Sequence, residues 1–303
     1  MRTSRYLTRL LAVLLLAIAL PAGAGGAPAL RVAYAGSMGV VMDLALGPAF
    51  AKAHDATWQG IGQGSYALAR LLAAGQMRAD VFVGITPGPL RVLAKAGLVT
   101  RAVPIASTRM VVIYSPKSRF AADFDAVAQG KRSWYDVLRQ PGLRLGRTNP
   151  AIDPQGANAL LALQLAARYY HQPGLLHEIA GPLLNGRQIF SEASLMSRLL
   201  AGQVDAAIGY RSSAVSHHLP TINLPPAVDL ADPAFQATWY ARARLTLADG
   251  KILTPQPLVF YAAVLDNARH PALARAFVRY LQSAQGQKQL RSHGYDAPHG
   301  AAL

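Results

Sequence analysis

The chain has 303 residues, enough for one large domain or for two medium lobes that each have a core. It contains no cysteine, which excludes disulfides, thiolate metal sites and a lipid-modified cysteine as a membrane tether. A formal net charge of +15 favours anionic partners, but scattered arginines without interleaved aromatic residues argue against nucleic acid.

The first residues contain the three parts of a secretory signal peptide. Arg2, Arg5 and Arg9 precede an apolar run over residues 10–20, and small residues after Pro21 supply an Ala-x-Ala cleavage site. The run has about half of the roughly twenty residues that span a bilayer, so a signal peptide over residues 1–24 is favoured over an N-terminal membrane anchor. We therefore expect an exported, periplasmic protein that is not lipidated, and cleavage would lower its net charge to +12.

Strand and helix patterns alternate along the rest of the chain. Runs rich in β-branched and aliphatic residues predict strands over residues 30–35, 79–83, 110–114, 143–145, 206–210 and 258–264. Apolar residues at helical spacing predict helices over residues 42–51, 66–74, 90–96, 133–138, 154–170, 192–201 and 271–290, the last of them amphipathic.

This alternation predicts an α/β fold in which mainly parallel sheets are flanked by helices. The β-rich runs 110–114 and 258–264 lie far apart in sequence, and we interpret them as the crossovers between two lobes. Residues 28–114 and 213–303 then form lobe I, and residues 115–212 form lobe II. A cleft between the lobes is the natural ligand site, and hinge closure is its usual consequence.

Four polar residues stand at the predicted starts of helices, namely Ser37, Ser65, Asp153 and Glu192. Helix N-termini carry unpaired N–H groups and partial positive charge, which makes them anion sites. Each of the four residues is also explained as an ordinary helix cap or first-turn residue. Tyr210 ends a buried strand, and it either points its hydroxyl into the cleft or is a satisfied core tyrosine.

The spacing of serine, histidine and acidic residues along the sequence matches no catalytic or metal-binding motif. Ser37 lies in a Gly-Ser-x-Gly run that lacks the spacing of a nucleophile elbow, and no His-Glu-x-x-His occurs. His217 and His218 have no third ligand at usable spacing, so we interpret them as surface or packing residues. No base can be paired with a nucleophile, so we expect no enzyme and no resident cofactor.

Short motifs nevertheless follow one another in a specific order and spacing. They are Ala35-Gly36-Ser37, Gly64-Ser65, Ala79-Asp80-Val81, Gly146-Arg147-Thr148-Asn149-Pro150, Asp153-Pro154 with Gly156, Leu200-Ala201-Gly202-Gln203-Val204-Asp205, Tyr210-Arg211-Ser212, Ile222-Asn223-Leu224-Pro225 leading to Asp229-Leu230, Leu247-Ala248-Asp249-Gly250-Lys251 and Pro257-Leu258-Val259. Over nearly the whole mature chain, this set resembles the substrate-binding subunit of tungstate/molybdate ABC importers.

The resemblance implies a two-lobed type II periplasmic binding protein fold with an oxyanion in the cleft. In that family serine hydroxyls and backbone N–H groups bind the oxo groups, and in some members two carboxylates coordinate the metal centre. By position Ser37 and Ser65 correspond to the hydroxyl donors, Asp153 and Glu192 to the carboxylates, and Tyr210 lies beside the cleft. The chain departs from the family where Asp-Pro continues as Gln155-Gly156-Ala157-Asn158 instead of Cys-Gly-Tyr-Arg.

Paired carboxylates carry chemical information about the ligand. They repel a bare dianion such as sulfate at close range, but they can bind tungsten or molybdenum, which expand their coordination shell. With the resemblance, this predicts a protein that delivers tungstate or molybdate to an ABC permease in the inner membrane. We expect the protein to be a monomer. The alternatives are a binder of sulfate, thiosulfate or another small anion, or an exported sensor or adhesion module without transport.

Overall fold

The structure, a computed structural model, describes residues 27–303, and the predicted signal peptide over residues 1–24 lies outside the described residues. The first sheet has the order β2-β1-β3-β11-β4. Its strands are β1 (Ala29–Ala35), β2 (Thr57–Gln63), β3 (Val81–Ile85), β4 (Val103–Ser107) and β11 (Val259–Val264). The central strands β1, β3 and β11 bury apolar residues on both faces, as expected where helices cover a sheet on both sides, whereas edge strand β2 is exposed or half-buried.

The second sheet has the order β6-β7-β5-β8, and a two-stranded ribbon stands apart from both sheets. The strands of the second sheet are β5 (Met110–Tyr114), β6 (Leu145–Gly146), β7 (Ala206–Tyr210) and β8 (Thr221–Asn223). The ribbon consists of β9 (Leu245–Thr246) and β10 (Ile252–Leu253).

Each sheet contains one strand that runs against the others. β11 is antiparallel to both of its neighbours, β3 and β4, and β5 is antiparallel to both β7 and β8. The remaining pairs, β1 with β2, β1 with β3 and β6 with β7, are parallel. The predicted mainly parallel α/β architecture is therefore confirmed, and the reversed strands are the two runs that the sequence singled out as crossovers.

The sheets divide the chain at other positions than the predicted lobe boundaries. Strand β5, which was assigned to lobe I, hydrogen-bonds on both edges within the second sheet, and β8 over residues 221–223 joins the same sheet. The two sheets are therefore separated at the short link between Ser107 and Met110. A strand belongs to the sheet that satisfies its backbone groups, and a sequence pattern does not reveal which sheet that is.

Helices cover both sheets. They are α1 (Gly39–Val41), α2 (Gly47–Ala53), α3 (Ser65–Ala73), α4 (Pro87–Lys95), α5 (Ala121–Ala128), α6 (Trp134–Leu138), α7 (Pro154–Tyr169), α8 (Leu175–Ala180), α9 (Glu192–Ala201), α10 (Arg211–Ser216), α11 (Pro271–Gln282) and α12 (Ala284–Ser292). Short 3-10 turns cover Gly36–Met38, Pro233–Phe235 and Tyr240–Arg242, and a π-helical turn covers Met42–Leu46. Over residues 27–303 no helix combines the length and apolarity required to cross a membrane.

The single C-terminal helix predicted over residues 271–290 is wrong, because the chain breaks at Ser283. This residue is extended, with φ −70° and ψ 163°, and its hydroxyl oxygen accepts a hydrogen bond from the Gly286 N–H at 3.2 Å. Ser283 therefore ends α11 and caps α12. A serine inside a continuous amphipathic pattern gives little warning of such a break.

Strand β2 was not predicted, because its sequence Thr-Trp-Gln-Gly-Ile-Gly-Gln contains two glycines. The glycines are required by close packing of Tyr34 from the neighbouring strand. A Cβ atom on Gly62 would lie 2.6 Å from the Tyr34 ring, and one on Gly60 would lie 2.3 Å from Asp43 Oδ1. Strand glycines often mark such close approaches.

Candidate functional site

A cavity of about 670 Å³ lies between the two sheets. From the part of the chain that builds the first sheet it is lined by Tyr34, Gly36, Gly39, Asp43, Gly60, Gly62, Gln63, Gly64 and Ala67. From the part that follows β6 in the second sheet it is lined by Thr148, Asn149, Ile152, Asp153, Ile189, Phe190, Ser191, Glu192 and Ala193. We call this cavity the cleft.

The four predicted helix starts meet at the cleft. Gly36 and Gly64 line it directly before Ser37 and Ser65, and Asp153 and Glu192 line it themselves. Asp153 precedes α7, and Glu192 is the first residue of α9. Segments that lie far apart in sequence thus bring several N-terminal helix turns, each with partial positive charge, to one enclosed space.

Asp153 is both a helix cap and a cleft residue. Its Oδ1 atom accepts a hydrogen bond from the Gln155 N–H at 3.0 Å, and Pro154 occupies the first helical position. This is the ordinary capping arrangement, in which the aspartate is held in extended backbone geometry before the helix. Capping engages one carboxylate oxygen, and the side chain still lines the cleft.

Glu192 is not the cap of its helix. Ser191 has that role, because its hydroxyl oxygen accepts a hydrogen bond from the Ser194 N–H at 3.3 Å. The Glu192 side chain is only 6% exposed, and its Oε1 atom accepts a hydrogen bond from the Ser213 hydroxyl at 2.8 Å. A glutamate that a cap does not require, buried in a cleft and oriented by a serine, is a candidate ligand-binding residue.

The two carboxyl groups perturb each other. Burial raises the pKa of Asp153 to about 6. Burial, and then the negative charge of Asp153, raise the pKa of Glu192 to about 8. The described residues that line the cleft include no lysine, arginine or histidine that would offset these charges. Two acids held close together without a cation are costly for the ligand-free protein, because one of them must bind a proton near neutral pH.

Ser37, Ser65 and Tyr210 are buried beside the cleft and are not among the residues that line it. The Ser65 hydroxyl oxygen accepts a hydrogen bond from the Ile85 N–H at 3.4 Å. Neither serine acts as an N-cap: Ala35 and Gly64 occupy those positions. The Tyr210 hydroxyl accepts a hydrogen bond from the Asn158 side chain at 3.1 Å, so Asn158 orients Tyr210.

Tyr210 also responds to the two carboxylates. Its pKa is well above the ordinary value, first because of burial and then because of the charge of Asp153, with a smaller contribution from Glu192. The structure therefore brings together four of the five predicted residues or their immediate neighbours at the cleft wall, and it places Tyr210 within electrostatic reach.

Three supporting residues were not predicted from the sequence. Ser213 orients Glu192, and the Tyr295 hydroxyl donates a hydrogen bond to the Ser37 carbonyl oxygen at 3.0 Å across 258 residues of sequence. Buried Arg147 donates to the Pro182 and Leu183 carbonyl oxygens and to Gln188 Oε1, which secures the loop that leads to Glu192. Arg147 lies in the motif Gly146-Arg147-Thr148-Asn149-Pro150, which the sequence singled out. The hydrogen-bond partners of Ser213, Tyr295 and Arg147 depend on long-range packing and could not be predicted.

The two sides of the cleft touch each other, so the structure represents a closed form. The Ala67 N–H in α3 donates a hydrogen bond to the Ile152 carbonyl oxygen at 3.2 Å. A Cβ atom on Gly64 would lie 2.7 Å from that same oxygen, and one on Gly36 would lie 3.2 Å from Glu192 Cβ. Glycine at positions 36 and 64 thus permits the approach of the opposing wall.

The arrangement defines a class of protein: two α/β sheets enclose a ligand cleft lined by helix N-termini, as in solute-binding proteins. The comparison with known sequences makes the assignment specific. The chain belongs to the bacterial extracellular solute-binding protein family, whose sequence profile matches residues 30–296.

Two relatives are informative. A putative ABC transporter molybdenum-binding protein of Haloferax volcanii is 37% identical over 175 residues, which are 57% of this chain and 54% of the relative. A molybdate/tungstate-binding protein of Pyrococcus abyssi is 27% identical over 214 residues, covering 64% of this chain and 61% of the relative. The chain thus spans somewhat more than half the length of these relatives.

Solved structures share the fold. The periplasmic molybdate-binding protein of Azotobacter vinelandii matches 89% of this chain and 100% of its own, with a TM-score of 0.60 and 18% identity. A sulfate-binding protein of Mycobacterium tuberculosis matches 89% of this chain and 87% of its own, with a TM-score of 0.55 and 17% identity. The predicted type II periplasmic binding protein fold is therefore confirmed.

Proposed function

We propose that the protein captures tungstate or molybdate in the periplasm and delivers it to an ABC permease in the inner membrane. The observation that carries this proposal is the pair of acids, partly buried Asp153 and buried Glu192, in a cleft that several helix N-termini line. The names of two relatives, a molybdenum-binding and a molybdate/tungstate-binding protein, support the same ligand class.

The chemistry explains why acids would be retained in an anion site. Sulfate has no vacant coordination position, so two carboxylates only repel it. Tungsten or molybdenum brings four oxygens of its own, and two carboxylates complete a six-coordinate shell. Serine hydroxyls and backbone N–H groups near Ser37 and Ser65 then bind the oxo groups.

Binding to the metal centre also resolves the electrostatic cost of the ligand-free cleft. A coordinated carboxylate must be ionised, so the ligand displaces the proton that Glu192 holds near neutral pH. Asp153 and Glu192 lie on one wall of the cleft, and Ser37 and Ser65 lie beside the other, so a ligand that both sets bind joins the two walls. Capture thus favours the closed form, which is the form that docks on the permease.

The first experiment compares anions by thermal denaturation of the mature protein. Tungstate, molybdate, sulfate, phosphate and thiosulfate are added separately, and a ligand at about a thousandfold excess over its Kd stabilises by about 4 kcal/mol. We expect a clear rise in Tm with tungstate and molybdate and little change with phosphate. No shift with either metal oxyanion would refute the proposal, and a shift with sulfate or thiosulfate alone would favour those anions.

The second experiment tests the two acids. Asp153→Ala and Glu192→Ala are each expected to weaken tungstate binding in titration calorimetry, and unchanged affinity in both would make them structural residues only.

Light scattering of the mature protein is expected to give a monomer. A permease and an ATPase encoded beside this gene would distinguish an importer from an exported sensor.

A further inference from the structure

A second, smaller cavity of about 260 Å³ lies on the other side of Tyr66. It is lined by Tyr66, Gly88, Arg91, Val92, Lys95, Lys251, Ile252, Leu253, Thr254 and Gln256. Its wall contains three cationic side chains and no carboxylate. We call this cavity, together with Arg70 at the edge of the Tyr66 ring, the basic pocket.

The cations are arranged around one aromatic ring. Lys251 Nζ lies 4.7 Å from the centre of the Tyr66 ring, and the guanidinium carbon of Arg70 lies 6.0 Å from it. An Arg91 guanidinium nitrogen lies 3.3 Å from Gln256 Oε1, which holds the third cation at the same cavity. Cation–π and amide contacts fix the direction of these side chains without neutralising their charge.

None of the four cations has an acidic partner within residues 27–303. Ion pairs in that part of the chain involve Arg109, Arg132, Arg139, Arg144 and Arg211 instead. Asp249 is near Lys251 in sequence, but its Oδ1 atom accepts a hydrogen bond from the Lys251 backbone N–H. The basic pocket therefore retains a concentrated positive potential.

Tyr66 supplies a polar group inside this cavity. The residue is only 9% exposed, and its hydroxyl has no hydrogen-bond partner in the described part of the chain. A Cβ atom on Gly88 would lie 1.9 Å from that hydroxyl oxygen, so Gly88 leaves the room that the hydroxyl occupies. A tyrosine hydroxyl and three cations without acidic partners, all lining one cavity, are suited to a small oxyanion.

The basic pocket and the cleft share one helix. Tyr66 lines the basic pocket and the next residue, Ala67, lines the cleft, so the first turn of α3 separates the two. The cleft itself contains Asp43, Asp153 and Glu192 and no cation among its described residues. The carboxylates of the cleft repel an approaching dianion, because Coulomb repulsion acts over a long range. They bind its metal centre only at contact, because a coordinate bond acts over a short range.

We propose that the basic pocket is an encounter site, which attracts the oxyanion to α3 and accelerates its entry into the adjacent cleft. This inference rests on the proposed function. The basic pocket compensates at long range for the carboxylates that the cleft requires at short range. Steering of this kind raises association rates by about 10-fold or more and weakens as salt screens the charges.

The test measures tungstate association and dissociation by stopped-flow tryptophan fluorescence. Trp58 is the reporter, because its Nε1 donates a hydrogen bond to cleft residue Asp43 at 2.8 Å. The variant combines Arg91→Gln, Lys95→Gln and Lys251→Gln. Its matched control combines Arg275→Gln, Arg279→Gln and Lys288→Gln, which removes the same charge from exposed positions of α11 and α12 that line neither cavity.

At an ionic strength of about 20 mM we expect the basic-pocket variant to associate roughly three- to tenfold more slowly than the wild type, with an unchanged dissociation rate. The difference should largely disappear at about 0.5 M salt, and the control should stay near the wild-type rate. Equal association rates for variant and control would overturn the proposal, and so would an effect confined to dissociation. A wild-type protein that binds no tungstate would instead refute the proposed function.

Discussion

Asp153 and Glu192 both carry a carboxyl group at a helix start, but their positions relative to the helix give them different roles. Asp153 caps α7 through the Gln155 N–H, so its presence has a structural explanation. Glu192 follows the capping Ser191 and has no such explanation, yet it is buried and bonded to Ser213. Glu192 is therefore the stronger evidence for a carboxylate that serves a ligand.

Conservative variants separate capping from ligand binding. Asp153→Asn retains a capping oxygen and Glu192→Gln retains the acceptor for Ser213, but both lose the charge. We expect each to weaken tungstate binding by about tenfold or more, which corresponds to at least about 1.4 kcal/mol, with thermal stability unchanged or increased. Titration calorimetry measures the affinity. A retained affinity in Glu192→Gln would contradict coordination by its carboxylate.

The raised pKa values predict how the ligand-free protein responds to pH. Unfolded carboxyl groups lose their protons near pH 4, whereas Asp153 and Glu192 retain theirs in the folded protein up to about pH 6 and pH 8. The folded state thus binds more protons than the unfolded state in this range, so stability falls as pH rises from about 4 to about 8. Below pH 4 both states are protonated, and the penalty disappears.

Glu192→Gln is expected to abolish the upper part of this loss, between about pH 6 and pH 8, because the variant cannot ionise there. Urea unfolding at several pH values measures the effect, which we expect to be on the order of 1–3 kcal/mol at pH 8. Asp249→Asn, in an exposed turn, is the control and should follow the wild type. Parallel pH profiles of the wild type and Glu192→Gln would contradict the assignment.

At the level of elements, the C-terminal segment over residues 293–297 connects both walls of the cleft. Tyr295 donates to the Ser37 carbonyl oxygen, and Asp296 forms an antiparallel bridge with Ser107, the last residue of β4. On the other side the Ser216 hydroxyl in α10 donates to the His293 carbonyl oxygen at 3.1 Å. The same short segment therefore contacts the turn that holds Ser37 and the helix that holds Ser213.

Tyr295→Phe removes the hydrogen bond to Ser37 and keeps the buried ring. We expect tungstate affinity to fall by roughly three- to tenfold, because the Gly36-Ser37 turn loses a restraint, with a stability loss of about 1 kcal/mol. Tyr261→Phe is the control, since the Tyr261 hydroxyl has no hydrogen-bond partner in the part of the chain that the structure describes. Equal affinities in the two variants would show that the turn needs no support from Tyr295.

For the molecule as a whole, the proposed function requires that the two walls of the cleft approach each other, and they meet at Gly36 and Gly64. Gly64 lies against the Ile152 carbonyl oxygen, and a Cβ atom at position 64 would clash with that oxygen at 2.7 Å. The oxygen belongs to the backbone, so it cannot move away as the end of a flexible side chain could. The interwall hydrogen bond from Ala67 to the same oxygen would be lost with that contact. Closure is thus sensitive to a single carbon atom at one position.

Gly64→Ala is expected to fold normally but to favour the open form, with tungstate binding weakened by about tenfold or more. Small-angle scattering with saturating tungstate should show a smaller decrease in radius of gyration than in the wild type. Gly39→Ala is the matched control, because Gly39 also lines the cleft and has open space around its Cβ position. Full closure of Gly64→Ala would contradict this role for Gly64.

Local patterns in the sequence determined most of the elements. The strand at 206–210 and the helices that begin at Pro154 and Glu192 were predicted because alternation, apolar periodicity and capping residues act over a few positions. The mainly parallel α/β class followed from their order. Strand β2 and the break at Ser283 were not predicted, because ring packing on Gly62 and an internal cap are not features of periodicity.

The candidate site divides in the same way. Asp153, Glu192, Ser37 and Ser65 were predictable as helix starts, since a polar residue before an apolar-periodic run is a local signal. Only the tertiary structure decided that these starts face one cleft, that Ser213 and Tyr295 support them, and that β5 belongs to the second sheet. The physical reason is that burial and mutual repulsion, which give Glu192 its unusual pKa, arise between groups that folding brings together across the chain.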